Sequence, residues 1–241
     1  MKVQGLMSYS LLESTSLEID NISQAIAELA DNTRDAAAKR DVRLSFWIDF
    51  RSLPGSPEFE IHCWDNGPGV PKERLQRMLG FGFSDKSARE KETIGQYGLG
   101  VKHACMRLAH SALIFIKTEE DAHVILMSPG FLLSKEIEEI EYPTIRFTLE
   151  DGKFKIDDSD PDYLQTAENL IAYSNLKSLE DMTKSIEEMP ATGVKYILFQ
   201  VRNNAKEFNL TDDSRDVIIM HSDGSRPFTQ ARAGQANTAM V

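Results

Sequence analysis

Two neighbouring segments of alternating apolar residues are the feature that most constrains the fold. In the first segment every second residue is apolar: Val42, Leu44, Phe46, Ile48 and Phe50. Pro54-Gly55 interrupts the pattern, which resumes at Phe59, Ile61 and Cys63. A period of two is typical of a half-buried strand, and a Pro/Gly break between two such strands indicates a turn. The sequence therefore predicts an antiparallel hairpin.

The segments around this hairpin alternate irregularly between the two kinds of secondary structure. An N-cap pair, Asp20-Asn21, precedes an amphipathic helix that extends to about Lys39. Further helices are predicted at 98–108, 162–174 and 178–188, and strands at 112–117, 123–127, 144–149, 154–156, 196–201 and 217–220. Hairpins occur where regular strand-helix-strand units would be needed for a parallel sheet, so the order favours an α+β two-layer sandwich.

Composition excludes some classes of function. The chain has 241 residues, with 27 Lys and Arg against 38 Asp and Glu, which gives a net charge of −11. Broad nucleic-acid binding needs clustered cations, so this balance argues against it, although a small cationic nucleotide site remains compatible. No apolar run approaches the roughly 18–20 residues of a membrane span, and we expect no membrane association. The two cysteines, Cys63 and Cys105, match neither a metal-binding spacing nor a disulfide framework.

The first helix has a polar face formed by Glu28, Asn32 and Asp35, at positions i, i+4 and i+7. By itself this pattern favours a solvated helix surface. The alternative is a carboxylate that activates water beside a metal ion held by the Asn32 amide oxygen. Asn and Asp are poor residues for a helix interior, and this favours the alternative.

Asp65 ends the second predicted strand and begins the segment Asp65-Asn66-Gly67-Pro68-Gly69. A tight turn explains this segment, because Asn-Gly is a strong turn pair. A functional explanation is also available. A carboxylate at a strand end accepts hydrogen bonds from an exocyclic amine such as that of adenine, while Gly67 and Gly69 let a flat ligand approach the backbone.

A glycine motif opens the helix predicted at 98–108. Its order is G-x-x-G-x-G, with Gly95, Gly98 and Gly100. The order differs from the dinucleotide fingerprint and from the P-loop. Bare backbone N–H groups at a helix N-terminus nevertheless favour an anion. Lys102 follows in the first helical turn, whereas Ser84 and Lys86 lie upstream in a predicted mobile loop, residues 80–97. Taken singly, each lysine is compatible with an ordinary surface position.

Together, the order and spacing of these motifs resemble the GHKL ATPases, the superfamily of gyrase, heat-shock chaperone, histidine-kinase and MutL ATP-binding domains. The resemblance is greatest to the MORC family, and it covers about residues 9–220. The segments that carry it are Ala25–Asn32, Leu79–Lys86, Gly95–Lys102 and Met106–Leu108. It implies a Bergerat-type α/β sandwich with a mixed, mainly antiparallel sheet, helices on one face and an ATP lid.

The resemblance also implies roles for individual residues. Glu28 matches the general base and Asn32 the Mg²⁺ ligand, while Asp65 with Gly67 and Gly69 matches the adenine site. The lid residues near the phosphates are Ser84 and Lys86. The phosphate-cradling loop comprises Gly95, Gly98, Gly100 and Lys102. Asp35 belongs to the family motif, and its role is left open.

The sequence departs from the family pattern in two places. The family has Gly-Thr before its last long strand, with the Thr beside the adenine-binding Asp. Here the pair is Gly193-Val194, with Thr192 one position early. In addition, the family's transducer lysine has no counterpart, so we expect slow hydrolysis. The expected organisation is an N-terminal arm (1–20), an ATP-binding domain (20–221) with its lid (80–97), a disordered tail (222–241) and no transducer domain.

The function implied by the resemblance is Mg²⁺-dependent ATP hydrolysis, with homodimerisation when ATP closes the lid. The arm could exchange between subunits or pack on its own subunit. In the family this cycle serves chromatin compaction and gene silencing in the nucleus, with any chromatin or DNA contact made by regions outside this chain. Two alternatives are a nucleotide-gated binding module with negligible hydrolysis and a histidine-kinase ATP domain. The latter needs a preceding helical hairpin, for which only about 20 residues are available.

Overall fold

The computed structural model describes residues 2–16, 22–37, 44–56, 58–72, 74–75, 99–137, 139–202, 208–210 and 217–219. The strands are β1 (Lys2–Ser8), β2 (Phe46–Ser52), β3 (Phe59–Asp65), β4 (Ala109–Lys117), β5 (Asp121–Met127), β6 (Glu139–Glu150), β7 (Lys153–Ile156), β8 (Gly193–Val201), β9 (Phe208–Leu210) and β10 (Val217–Ile219). The helices are α1 (Tyr9–Ser16), α2 (Ile22–Ala37), α3 (Leu99–Leu108), α4 (Pro129–Ser134), α5 (Tyr163–Ala172) and α6 (Leu179–Glu187).

One large sheet organises the described part of the chain. Its strand order is β1-β6-β5-β4-β8-β3-β2, with β7 paired to β6. Every strand pairing within the described residues is antiparallel, including the separate β9-β10 pair. The predicted hairpin is confirmed as β2-β3, in which Ile48 pairs with Cys63 and Phe50 with Ile61. The prediction of an α+β sandwich with a largely antiparallel sheet is therefore confirmed.

One face of the sheet carries Asp65 and Cys63, and α2 and α3 cover it. Thr33 of α2 bonds to the Asp65 carboxylate, and α2 packs against α3. Cys63 on β3 and Cys105 on α3 are both completely buried, as free thiols. This is a helical layer of the kind that the family resemblance implied.

The opposite face of the sheet has a helical cover of its own. Lys117 of β4 points to that side and donates through Nζ to the backbone oxygen of Ile186 in α6, at 2.9 Å. Asn175, after α5, donates to Glu60 of β3 at 2.6 Å. The resemblance implied helices on one face of the sheet, and α2 and α3 form that layer. The structure adds α5 and α6 on the opposite face.

The N-terminal segment packs within its own chain. β1 forms the sheet edge through antiparallel pairing with β6, and α1 packs on α3. Thr15 and the His103 ring share a hydrogen bond of 2.9 Å, and the Arg202 guanidinium lies 2.6 Å from the Glu13 carboxylate. No helix among the described residues is long and apolar enough to cross a membrane.

Candidate nucleotide-binding site

Asp65 lies at the end of β3, where three groups of the described residues donate to its side chain. Oδ1 accepts from the backbone N–H of Gly67 at 2.7 Å and of Val194 at 3.2 Å. Oδ2 accepts from the Thr33 hydroxyl at 3.1 Å. Only 6% of the residue is exposed, and burial raises the pKa of the carboxyl despite the opposing effect of these hydrogen bonds. The structure therefore places a desolvated, firmly oriented carboxylate at this strand end.

Two glycines, one after the Asp65 turn and one at the start of β8, allow backbone segments to pass close to each other. Gly69 has φ +68°, and a Cβ atom there would collide with the backbone oxygen of Lys117. Gly193 has φ +151°, and a Cβ atom there would collide with the backbone oxygen of Asp65. Both positions combine a backbone conformation that favours glycine with a contact that excludes any side chain.

The Gly193-Val194 departure changes which residue provides the hydroxyl next to Asp65. The Thr192 hydroxyl donates instead to the backbone oxygen of Gly67, at 2.6 Å, and so holds the turn that follows Asp65. Val194 contributes its backbone N–H, and the hydroxyl beside the carboxylate comes from Thr33 on α2.

Sequence reasoning missed Thr33 because it fell within the apolar stripe of the first helix. A signal was present nonetheless. Thr33 is 5% exposed, and a hydroxyl in a buried stripe needs a hydrogen-bond partner. That partner is Asp65, 32 positions along the chain, which no local pattern identifies.

Glu28 and Asn32 project from α2 one turn apart, and both are partly buried. The Asn32 Nδ2 group donates to the backbone oxygen of Glu28 at 2.7 Å, so Oδ1 is the amide atom left to bind a ligand or cation. The Oε2 atom of Glu28 lies 3.0 Å from the position that a Cβ atom would occupy on Gly100. The fold thus brings the polar face of α2 against the first turn of α3.

Lys102 also lies in the first turn of α3. Only 1% of this residue is exposed, and burial lowers the pKa of its ammonium group to about 7. An ammonium group in this environment gains from a nearby anion, because the anion compensates for lost hydration. A phosphate group beside Lys102 would therefore stabilise its charged form.

The remaining predicted site residues have less structural support. Ser84, Lys86, Gly95 and Gly98 lie outside the described residues. Asp35 is partly buried, and its carboxylate lies 4.0 Å from the guanidinium of Arg34.

The donor set suits Mg²⁺ held jointly with a nucleotide. The described residues contain no group of three or more His, Cys, Asp or Glu side chains that could hold a metal ion. Mg²⁺ typically binds one or two protein oxygens together with phosphate oxygens and water. A single amide oxygen, Oδ1 of Asn32, fits that pattern.

Comparison with known proteins identifies the class. Residues 20–155, more than half of the chain, match the family described as "Histidine kinase-, DNA gyrase B-, and HSP90-like ATPase". The chain belongs to this family, the GHKL ATPases. The Asp65 turn and the face formed by Glu28 and Asn32 lie inside the matched region.

Within this class, the similarity is to MORC proteins. The chain is 30% identical to mouse "MORC family CW-type zinc finger protein 3" over 81% of this chain and 20% of that protein. It is 25% identical to human "ATPase MORC2" over 98% of this chain and 23% of that protein. It is 28% identical to "Protein MICRORCHIDIA 7" of Arabidopsis thaliana, over 83% of this chain and 28% of that protein. The chain spans about a fifth to a quarter of the length of most of the MORC relatives that it matches.

Proposed function

We propose that this chain binds ATP with Mg²⁺ and hydrolyses it, as the nucleotide-binding domain of a MORC-like ATPase. The observation that carries the proposal is the buried Asp65 carboxylate, which backbone and side-chain donors fix at a glycine-lined strand end. Such an acceptor suits the exocyclic amine of adenine. The family match supports nucleotide hydrolysis as the general activity.

Each group in the proposed mechanism has a separate task. Asp65 accepts a hydrogen bond from the adenine amine and so positions the base. Oδ1 of Asn32 would hold Mg²⁺, which would supply positive charge beside the phosphates. Lys102 contributes a cation to the phosphate end. Glu28, one helical turn from Asn32, orients the attacking water and accepts its proton. Ser84, Lys86, Gly95 and Gly98 complete the phosphate site in the proposal.

Calorimetry with ATP and GTP tests the binding step. Asp65→Asn replaces a carboxylate oxygen with an amide of almost the same shape, and we expect ATP affinity to fall about tenfold or more. Asp49→Asn is the matched control, because Asp49 is an exposed carboxylate whose partner is Arg51. Equal affinity for ATP and GTP in the wild type would contradict the proposal, as would unchanged ATP affinity in Asp65→Asn.

Mg²⁺ dependence is tested at the neighbouring position. Asn32→Ala removes the proposed ligand oxygen, so ATP binding with Mg²⁺ should weaken more than binding in the presence of a chelator. An equal loss under both conditions would assign Asn32 a structural role only.

The proposal includes ATP-dependent homodimerisation, with the arm at residues 1–20 as the exchanging segment. β1 is an edge strand, and edge strands are available for pairing between chains. Sedimentation with a non-hydrolysable ATP analogue should show a dimer that is absent without nucleotide. A monomer under both conditions would remove dimerisation from the proposal, and phosphate release would show whether the domain binds without turnover.

Action on chromatin in the nucleus, towards compaction and gene silencing, is the broadest part of the proposal and rests on the MORC resemblance. Imaging the full-length protein in its own cells tests the location. An exclusively cytoplasmic signal would contradict it.

A further inference from the structure

The Thr33 hydroxyl makes an unusual bond for a residue in the middle of a helix. Ser and Thr hydroxyls within helices commonly donate to the carbonyl four residues earlier. Thr183 in α6 does so, with a 3.2 Å bond to the backbone oxygen of Leu179. The Thr33 hydroxyl instead crosses to Oδ2 of Asp65 at 3.1 Å, and it does so in a buried position.

The count of acceptor positions on Asp65 shows what this bond does to the site. An ionised carboxylate offers about four lone-pair positions. The N–H groups of Gly67 and Val194 occupy two on Oδ1, and the Thr33 hydroxyl occupies one on Oδ2. Counting the donors of the described residues, one position on Oδ2 is therefore left, enough for a single N–H of a ligand.

We propose that Thr33 is a specificity-determining residue for the nucleobase, through its hydrogen bond to Asp65. This inference rests on the proposed function and assigns to α2 a task that the family resemblance assigned to the strand residue at position 194. Because the hydroxyl proton is committed to Asp65, Thr33 presents only lone pairs to a ligand. Together the two side chains form a surface of acceptors.

That surface distinguishes the two purines. Adenine presents an exocyclic N–H₂ group, which can donate to the last position on Oδ2. Guanine presents a carbonyl oxygen at the same place, and it would meet acceptors without a compensating donor. Unpaired polar groups in a buried site are costly, so the arrangement discriminates mainly by rejection of the wrong base. Without the Thr33 hydroxyl, the carboxylate can rotate, and water can fill the released position.

The test compares the ratio of GTP to ATP dissociation constants in three variants. Thr33→Val removes the hydroxyl with little change of shape, and we expect the ratio to fall about tenfold. Thr33→Ser retains the hydroxyl and should keep the ratio near the wild-type value. Thr183→Val is the matched control, since it removes a helical hydroxyl that donates within its own helix, and it should leave the ratio unchanged.

A second measurement needs no nucleotide. Carbon-13 NMR of the Asp65 carboxyl reports its titration directly, and the Thr33 bond lowers that pKa. Thr33→Val should therefore raise it, and Thr33→Ser should not. Thermal unfolding of each variant identifies any that fails to fold.

The two proposals fail in distinguishable ways. Wild-type protein that does not bind ATP, or binds both nucleotides equally, overturns the proposed function. Wild-type protein that prefers ATP, with the same ratio and the same Asp65 titration in Thr33→Val, overturns the role of Thr33 alone.

Discussion

We predict that the protein takes up protons through Lys102 when it binds ATP. Burial lowers the pKa of this ammonium group to about 7, so about half of the molecules carry a neutral Lys102 at pH 7 in the absence of nucleotide. A bound phosphate group would keep the lysine charged. Proton uptake on binding should then be about 0.1 at pH 6, about 0.5 at pH 7 and about 0.9 at pH 8. Affinity should decline above pH 7, approaching a tenfold loss per pH unit.

Calorimetry in buffers of different ionisation enthalpy measures this uptake. At a fixed pH, the slope of the observed binding enthalpy against the buffer enthalpy gives the number of protons exchanged. ATP exchanges protons of its own, so the comparison is with Lys102→Arg, which stays charged and should lose most of the uptake at pH 8. Lys135→Arg, an exposed position after α4, is the control. Equal uptake at pH 8 in the wild type and in Lys102→Arg would refute the reasoning.

The same pKa makes a prediction for stability. In the unfolded chain Lys102 titrates near 10.5, so between about pH 7 and pH 10.5 the unfolded state binds more protons than the folded state. The contribution of Lys102 to the free energy of unfolding therefore rises with pH across that window. Lys102→Met should remove this rise, as measured by denaturant unfolding at several pH values. An unchanged pH profile would contradict the assignment.

Three further substitutions test the site. Glu28→Gln should still bind ATP while single-turnover hydrolysis falls about 10²–10⁴-fold, and loss of binding would make Glu28 a structural residue. Gly100→Ala should leave thermal unfolding nearly unchanged but slow hydrolysis at least about tenfold, because its Cβ would lie 3.0 Å from Glu28 Oε2 and displace that carboxylate. Gly193→Ala should lower the free energy of unfolding by about 3 kcal/mol or more, against about 1 kcal/mol for Gly152→Ala, which has positive φ but open space. Equal losses in the free energy of unfolding for Gly193→Ala and Gly152→Ala would contradict a collision between a side chain at 193 and the Asp65 backbone.

Regular periodicity explains which elements the sequence predicted. The helix that begins at Ile22 and the β2-β3 hairpin have clear repeats of 3.6 and 2 residues, and both are present. β1 has no such alternation, and its place in the sheet depends on pairing with β6, more than 130 positions away. The short helix α4 begins at Pro129-Gly130, a pair that indicates a turn unless the Ser128 cap is recognised.

In the candidate site, too, local sequence patterns could be recognised and contacts between distant residues could not. Asp65 with its glycine turn and the Glu28 and Asn32 face are local patterns in the sequence, and the family resemblance gave them their expected roles. The contributions of Thr33 and Gly193 depend on contacts made across the fold, in each case with Asp65. No local pattern could have predicted these contacts.

The rate at which the two buried thiols are chemically modified reports how often the domain opens. Burial raises the pKa of Cys105 to about 12 and also raises that of Cys63, so in the closed structure neither thiol is both accessible and ionised. A thiol reagent can modify them only in molecules where α3 has separated from β3. Under conditions of rapid reclosing, the modification rate gives the population of that open state. Because α3 also carries Lys102, a nucleotide that binds there should slow the modification of both cysteines.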